Sequence, residues 1–323
     1  MAESKLVVYG AIAANIAIAV TKFIAAGVSG SSAMLSEAIH STVDSGNELL
    51  LLVGLNRASQ PPDAAHPFGY GKELYFWSLI VAVLIFGVGG GVTVWEGIMH
   101  VRSPQAATSP GWSYVVLGVS ALFEGASFAF AVRAVWKDKG NDSFLGALHA
   151  SKDPTTFTVV AEDGAALIGL AIAALGIWGS EHFQMPVLDG IASIAIGVLL
   201  AGVAVLLIRE SRGLLVGEGV DREMAAGIRA LALDDPQVAD ASLPATMYFG
   251  PENVLVALDV QFRDEVQTGE INDAVRRVEQ SIRSRYPSVR RLYIEANPAS
   301  AVGRDAHSGS HQEPVVNPSG MAP

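Results

Sequence analysis

His40 and Asp44 stand four residues apart in SEAIHSTVDSG (36–46), a polar segment set between long apolar runs. On a helix, positions i and i+4 share a face. The imidazole and the carboxylate therefore project together, with Asn47 continuing the stripe and Glu37 one turn before it. A histidine beside a carboxylate suits a divalent transition metal, provided further donors stand opposite. Those donors are expected from PTTFTVVAEDGAALIGL (154–170), where Glu162 and Asp163 are adjacent. Adjacent helical residues point ~100° apart, so one acid is expected to ligate while the other pairs, orients or relays protons. Asp163 is the preferred ligand and Glu162 follows it closely. The competing reading is a His–Asp pair that only locks helices together. Ionisable groups at bilayer depth are costly and usually face a bundle interior or an aqueous cavity, which favours the metal.

Other polar residues carry weaker signals. QPPDAAHPFGYGKE (60–73) places Asp63 and His66 three apart, a pair that could hold a metal transiently. A solvated turn set by Pro61, Pro62 and Pro67 explains the same residues. Glu96, Glu124 and Asp189 fall at or within the ends of apolar segments and read as interfacial or helix-pairing groups. His100, His149 and His182 are lone histidines in links, expected to be exposed, and His307 and His311 lie in the C-terminal tail. No HExxH or GxSxG occurs and no nucleophile pairs with His40, so no enzyme and no prosthetic group are expected.

The elements that must position these residues follow from composition. Half of the 323 residues are hydrophobic and 16% are charged, against ~25% charged in soluble domains. A bilayer protein is implied. Cysteine is absent, which removes disulfides and thiolate ligands, and a net charge of −11 argues against nucleic acid as a partner. Six segments approach the ~20 apolar residues a spanning helix needs: 6–28, 33–55, 74–99, 112–136, 155–178 and 186–208. The first has span length and no small-residue cleavage site, so no cleavable signal is expected. Lys5, Arg57, Lys72, Lys137, Lys139, Lys152, Arg209 and Arg212 fall on one side of this arrangement, and only Arg102 on the other. Both termini are therefore expected in the cytoplasm. Glycines in the third segment (Gly87, Gly90, Gly91, Gly97) predict close packing against a neighbouring helix or a second subunit, and Gly164, Gly169 and Gly176 could serve likewise.

Beyond residue 208 the composition changes. Residues 221–233 read as an amphipathic helix, VADASLPATMYFG and NVLVALDVQFR as strands, 268–286 as a helix with a stripe through Ile271, Val275, Val278 and Ile282, and VRRLYIEAN as a last strand. The fold class is thus an all-α membrane bundle of six transmembrane helices plus a cytoplasmic α+β domain of order α-β-β-α-β, ferredoxin-like. The domains are 1–208 for the membrane bundle, 209–298 for the α+β module, and a disordered tail at 299–323.

Taken together these features resemble the cation diffusion facilitator family. The likeness rests on six spans with cytoplasmic ends, His-x-x-x-Asp at His40 and Asp44, HPFGYGK in the next link, LDGIASIAIG opening the sixth span, and the tail module. It covers residues 5–298, and SKDPTTFTVVAEDGAALIGL points to the zinc-transporter-9-like branch. The resemblance implies a homodimeric antiporter in a membrane, expected to be the bacterial inner membrane. It would export divalent metal, zinc first, in exchange for protons. It also implies a second ligand pair in the fifth span, but those positions are Thr155 and Val159, leaving Glu162 and Asp163 one turn further as substitutes. Asp63 and His66 match a secondary family site whose last histidine is Tyr70 here. No histidine lies between Asp221 and Asn297, so a dimerising domain without a histidine-built metal sensor is expected. A non-transporting membrane metal-binding or scaffold protein is the alternative.

Overall fold

Gly30 turns the chain between its first two apolar segments. Its φ of +68° lies in the left-handed region that glycine enters without a Cβ penalty. The computed structural model of the protein describes residues 2–105, 110–138 and 152–298. The predicted tail at 299–323 with His307 and His311, and the predicted exposed His149, lie outside the described residues. The chain divides into two units, Met1–Glu218 with Tyr248–Pro251, and Gly219–Met247 with Glu252–Pro323.

The first unit is helical. Its elements are α1 (Ala2–Ser29), α2 (Ser32–Ala58), α3 (Glu73–Leu84), a π-helical stretch (Ile85–Val92), α4 (Thr93–Arg102), α5 (Pro110–Asp138), α6 (Pro154–His182) and α7 (Val187–Val216). Helix α2 starts where the Ser31 hydroxyl accepts from the Met34 N–H, satisfying one of the unpaired donors of a first turn. Asp153 does the same for α6 by accepting from Thr155, with Pro154 at the first helical position. Among the described residues, four helical stretches are long and apolar enough to cross a membrane: Glu73–Arg102, Gly111–Arg133, Pro154–His182 and Val187–Val216. The second predicted span, α2, falls outside this group because of its ionisable residues, and their placement is inverted relative to a soluble helix. Glu37, His40 and Asn47 are buried, while Leu49 is 48% exposed and Val53 and Leu55 are also exposed.

Glycine fixes how the later helices approach. A Cβ added at Gly97 would stand 2.8 Å from the Gly190 carbonyl oxygen and 2.8 Å from the Ile194 nitrogen, and one at Gly90 would stand 3.1 Å from the Gly197 oxygen. The π-stretch and α4 therefore pack backbone to backbone against α7, as small residues permit in bilayers. The predicted close packing is met within the chain by Gly90 and Gly97, whereas Gly87 has no atom within 4 Å of such a Cβ. Gly176 packs on Ala192, Gly169 on the Glu37 carboxylate and Gly164 on Phe128. Met34, Val81, Ile85, Leu170, Ile177, Ile196 and Leu200 fill the space between these helices.

The second unit holds α8 (Arg222–Leu233), β1 (Val238–Ala241), β2 (Ala245–Gly250, whose last residues group with the first unit), β3 (Asn253–Phe262), α9 (Thr268–Arg285) and β4 (Val289–Pro298). The expected first strand is two, β1 and β2, separated by Ser242–Pro244. Proline cannot donate to a sheet ladder, and it stands at that break. β1 pairs antiparallel with the end of β3, Val238 opposite Phe262, and β4 runs parallel to β3 with Val256 opposite Leu292. Along β3, Val254, Val256, Leu258, Val260 and Phe262 are buried in period-two alternation. The parallel β3–β4 pair requires a crossover, which α9 supplies. It starts from a capping box between Gln267 and Glu270 and buries Ala274, Val278 and Ile282. Ile271 and Val275, at the edge of the predicted stripe, are half-buried.

Candidate metal centre

The α2 stripe meets α6 as the spacing requires. His40 Nδ1 lies 3.3 Å from Asp44 Oδ1. One turn on, Asn47 donates from Nδ2 to Glu162 Oε1 at 2.7 Å, which joins α2 to α6 across the bundle. Asp163 accepts from the Ser127 hydroxyl of α5 at 2.6 Å, and Glu48 accepts from Asn15 of α1 at 2.6 Å. Asp44, Glu48, Glu124, Glu162 and Asp163 line one cavity of about 250 Å³. Glu162 and Asp163 both reach it, so their angular separation on α6 does not divide them between different environments. No described Lys or Arg lines it.

Five carboxyl groups line this small cavity, and whichever of them are ionised draw cations to it. Several lone-pair atoms there are also unused. His40 Nε2, Asp44 Oδ1, Asn47 Oδ1 and Glu48 Oε2 are buried without a hydrogen-bond partner among the described residues. Buried polar atoms are normally satisfied, so this run along one face of α2 is open to a further partner such as a cation. Among the described residues, however, no three His, Cys, Asp or Glu side chains converge closely enough to hold a metal together. His40 itself is buried next to the cavity and does not line it. The structure thus brings Asp44, Glu162 and Asp163 to one cavity and His40 and Asn47 to its edge.

Asp63 and His66 lie in the link between α2 and α3, away from the stripe in sequence and half exposed. Asp63 accepts from the His66 backbone N–H and from the Tyr70 hydroxyl, each at 2.6 Å, and the His66 and Tyr70 rings stand 4.2 Å apart. The Tyr70 hydrogen bond, then that from His66, holds the Asp63 carboxyl below its usual range. Tyr70, where the family resemblance would put a third ligand, donates to Asp63 instead.

Sequence reasoning passed over one residue, Lys22. It is fully buried on α1, 3.2 Å from Glu37 Oε2, and donates to the Ser41 hydroxyl at 2.7 Å, with Glu124 4.0 Å away. The signal was available. Lys22 interrupts an apolar run, and it stands eight residues before Gly30 while Glu37 stands seven after it, so a hairpin turning at Gly30 brings them to the same depth. His100 is a correction. It was expected to be exposed, yet it is 8% exposed with Nε2 3.8 Å from Asp189 Oδ2. The helix continues through it to Arg102, which carries it into the bundle instead of a link. Asp189 pairs helices as expected: it accepts from the Ser31 hydroxyl at 2.7 Å and from the Ser32 N–H at 2.6 Å. His182 is exposed and stacks on Trp178.

A helical unit with apolar spanning segments around an acid-lined cavity defines a membrane protein of the cation-handling kind, and the comparisons agree. Residues 8–216 match the cation efflux transmembrane domain, and the chain belongs to that family, the cation diffusion facilitators, in its zinc-transporter-9-like branch. "Metal tolerance protein C4" of Arabidopsis thaliana is 33% identical over 240 residues, 74% of this chain and 52% of that protein. "Proton-coupled zinc antiporter SLC30A9, mitochondrial" of Homo sapiens is 36% identical over 220 residues, 67% of this chain and 39% of that protein. The chain spans roughly half or less of these two relatives. "Manganese efflux system protein MneP" of Bacillus subtilis is 23% identical over 299 residues, 91% of this chain and 96% of that one.

Proposed function

We propose that the chain carries a divalent metal ion, zinc first, out of the cytoplasm in exchange for protons. The observation that carries this reading is the carboxylate-lined cavity with its row of unpartnered lone pairs on α2. The metal is substrate. Asp44 and Asp163 would hold it, with Glu162, His40 and Asn47 completing the set after a modest closure of α2 on α6. Ligands must release protons before they bind metal, so the two compete for the same atoms, and a pH difference across the membrane becomes a driving force. Six spans with both termini in the cytoplasm, a bacterial inner membrane and a homodimer built with the α+β unit belong to the same proposal. The names of the relatives support metal efflux and, in one case, zinc and protons, but another is named for manganese. A site of imidazole and carboxylates accepts either metal.

The test is flux in proteoliposomes with a metal-sensitive dye inside and an imposed pH gradient. Zinc movement should follow the gradient and stop in His40→Ala and Asp44→Ala, both still folded by size exclusion. Wild-type flux in those variants refutes the site, and flux indifferent to the gradient refutes antiport. One observation favours the non-transporting alternative, namely that no three ligands converge among the described residues. Metal binding without flux in any gradient would select it.

A further inference from the structure

We propose that a second cation site, built from His100 and Glu96, lies in a separate cavity at the other end of the bundle. It would serve as the landing point for the ion that leaves the Asp44 cavity. This inference rests on the transport reading above.

The two cavities lie in series along α1 and α2. The first takes Asn15 and Ile18 from α1 and Ser41, Asp44 and Glu48 from α2. The second, about 560 Å³, takes Phe23, Ala26 and Gly27 from α1 and Ser32 and Leu35 from α2. Between them on both helices stands the Lys22–Glu37 ion pair. From Ser32 to Ser41 the helix rises roughly 14 Å at ~1.5 Å per residue. An ion on the Asp44 ligands therefore meets the second cavity next, once the ion pair yields.

Helix α4 equips that cavity for a cation. Glu96 and His100 are four residues apart, so they share a face, and both line it. They repeat the carboxylate–imidazole pairing of the first cavity in reverse order. The independent observation is His100 Nε2. The residue is 8% exposed and lines the cavity, and this nitrogen has no hydrogen-bond partner among the described residues. Asp189, its nearest carboxylate, has its oxygens committed to Ser31, Ser32 and Ala33. That carboxylate neutralises the positive N-terminus of α2, which would otherwise repel a cation arriving there. Ser31 and Ser32 also line the cavity, with hydroxyls that bond to Asp189. One imidazole, one carboxylate and water make a weak site. Weakness suits an exit, because tight binding would stall release.

The experiment uses the full chain in detergent with Co²⁺ as probe and diethyl pyrocarbonate as the histidine reagent, read peptide by peptide by mass spectrometry. His100 should be modified in the metal-free protein and protected by Co²⁺, by about tenfold at ten times the dissociation constant. Mg²⁺, which prefers oxygen ligands and keeps its water, should protect it poorly. Glu96→Gln should weaken the Co²⁺ protection. Modification of His100 indifferent to Co²⁺ overturns the proposal and leaves His100 as a brace for Asp189. Equal protection in Glu96→Gln overturns the two-residue site. The His40→Ala chain separates the two readings. Protection of His100 there keeps the second site whatever becomes of the first, while wild-type flux with no protection of His100 sinks both.

Discussion

Replacing Lys22 by Met tests whether buried charge in this bundle is neutralised in place. The ammonium of Lys22 and the carboxylate of Glu37 are both fully buried and 3.2 Å apart. Removing one partner of such a pair leaves the other charge without compensation and costs about 3–5 kcal/mol. The bond from Lys22 to Ser41 is lost as well, adding about 1 kcal/mol. Glu124, 4.0 Å from Lys22, borders the cavity and keeps 17% of its side chain exposed, so water can replace the ammonium there. Glu37 has no such recourse, because Oε1 already lacks a partner and lies against Gly169. For a unit of this size, ~1 kcal/mol corresponds to ~2–4 °C in Tm. Lys22→Met should therefore lower the Tm in detergent by about 8–24 °C. The double variant Lys22→Met, Glu37→Met should recover most of that, since replacing a whole buried pair by apolar groups is close to neutral. Removing the ammonium also makes the neighbouring cavity more negative, so Co²⁺ binding to the surviving fold should tighten. A single variant as stable as wild type, or a double variant no better than the single, would refute the reasoning.

Gly97→Val should destabilise by about 1–3 kcal/mol or more, because its Cβ would press on α7 backbone atoms. Gly87→Ala should be neutral or slightly stabilising, since nothing lies within 4 Å, and thermal melts of the two report the difference. Asn47→Ala should weaken metal binding about 10–100-fold by releasing Glu162, as loss of a group that orients a ligand does, measured by calorimetric titration. In the second unit, burial raises the Asp235 carboxyl, but the two-pronged hydrogen bond from Arg277 (2.8 and 3.1 Å) and that from the Gln237 N–H outweigh it, leaving the pKa below its usual 3.8. A depressed carboxyl stabilises above its unfolded pKa and loses that contribution as pH falls through the folded one. Arg277→Ala should thus lower stability at pH 7 and converge on wild type as pH falls through the depressed folded pKa, which chemical denaturation across pH will check.

How much of this was legible in the sequence depended on whether a residue's partner could be found by periodicity. His40, Asp44 and Asn47 declared a common face through helical spacing alone, and Glu162 needed only the assumption that α6 lies opposite. The small unit was legible for the same reason, since Val254–Phe262 alternates strictly; its first strand was misread as continuous because one proline cannot announce on which side of it a ladder resumes. His100 was misplaced because hydropathy falls at Met99–Arg102 while the helix continues, and hydropathy measures lipid preference, not where backbone hydrogen bonds end. Lys22 was missed for another reason. A lone cation in an apolar run looks like an interfacial lysine until the hairpin is folded about Gly30 and Glu37 arrives at its depth.

That last pairing also bears on how the site could work. A bilayer protein that must bind and then release a doubly charged ion needs its carboxylates stable without the ion, or the empty state would collapse or trap protons. Here the α2 acids are not left equally bare. Glu37 is held by Lys22, Glu48 by Asn15, and Asp44 faces His40 across 3.3 Å. Glu162 and Asp163 of α6 are held by the neutral donors Asn47 and Ser127. Neutral donors stabilise a carboxylate without cancelling its charge. The acids around the cavity therefore keep their attraction for metal, and the one with a permanent counter-ion lies at its boundary. On the proposed transport reading, the pull on a cation lies between α2 and α6, and the Lys22–Glu37 pair stands beside it as a barrier.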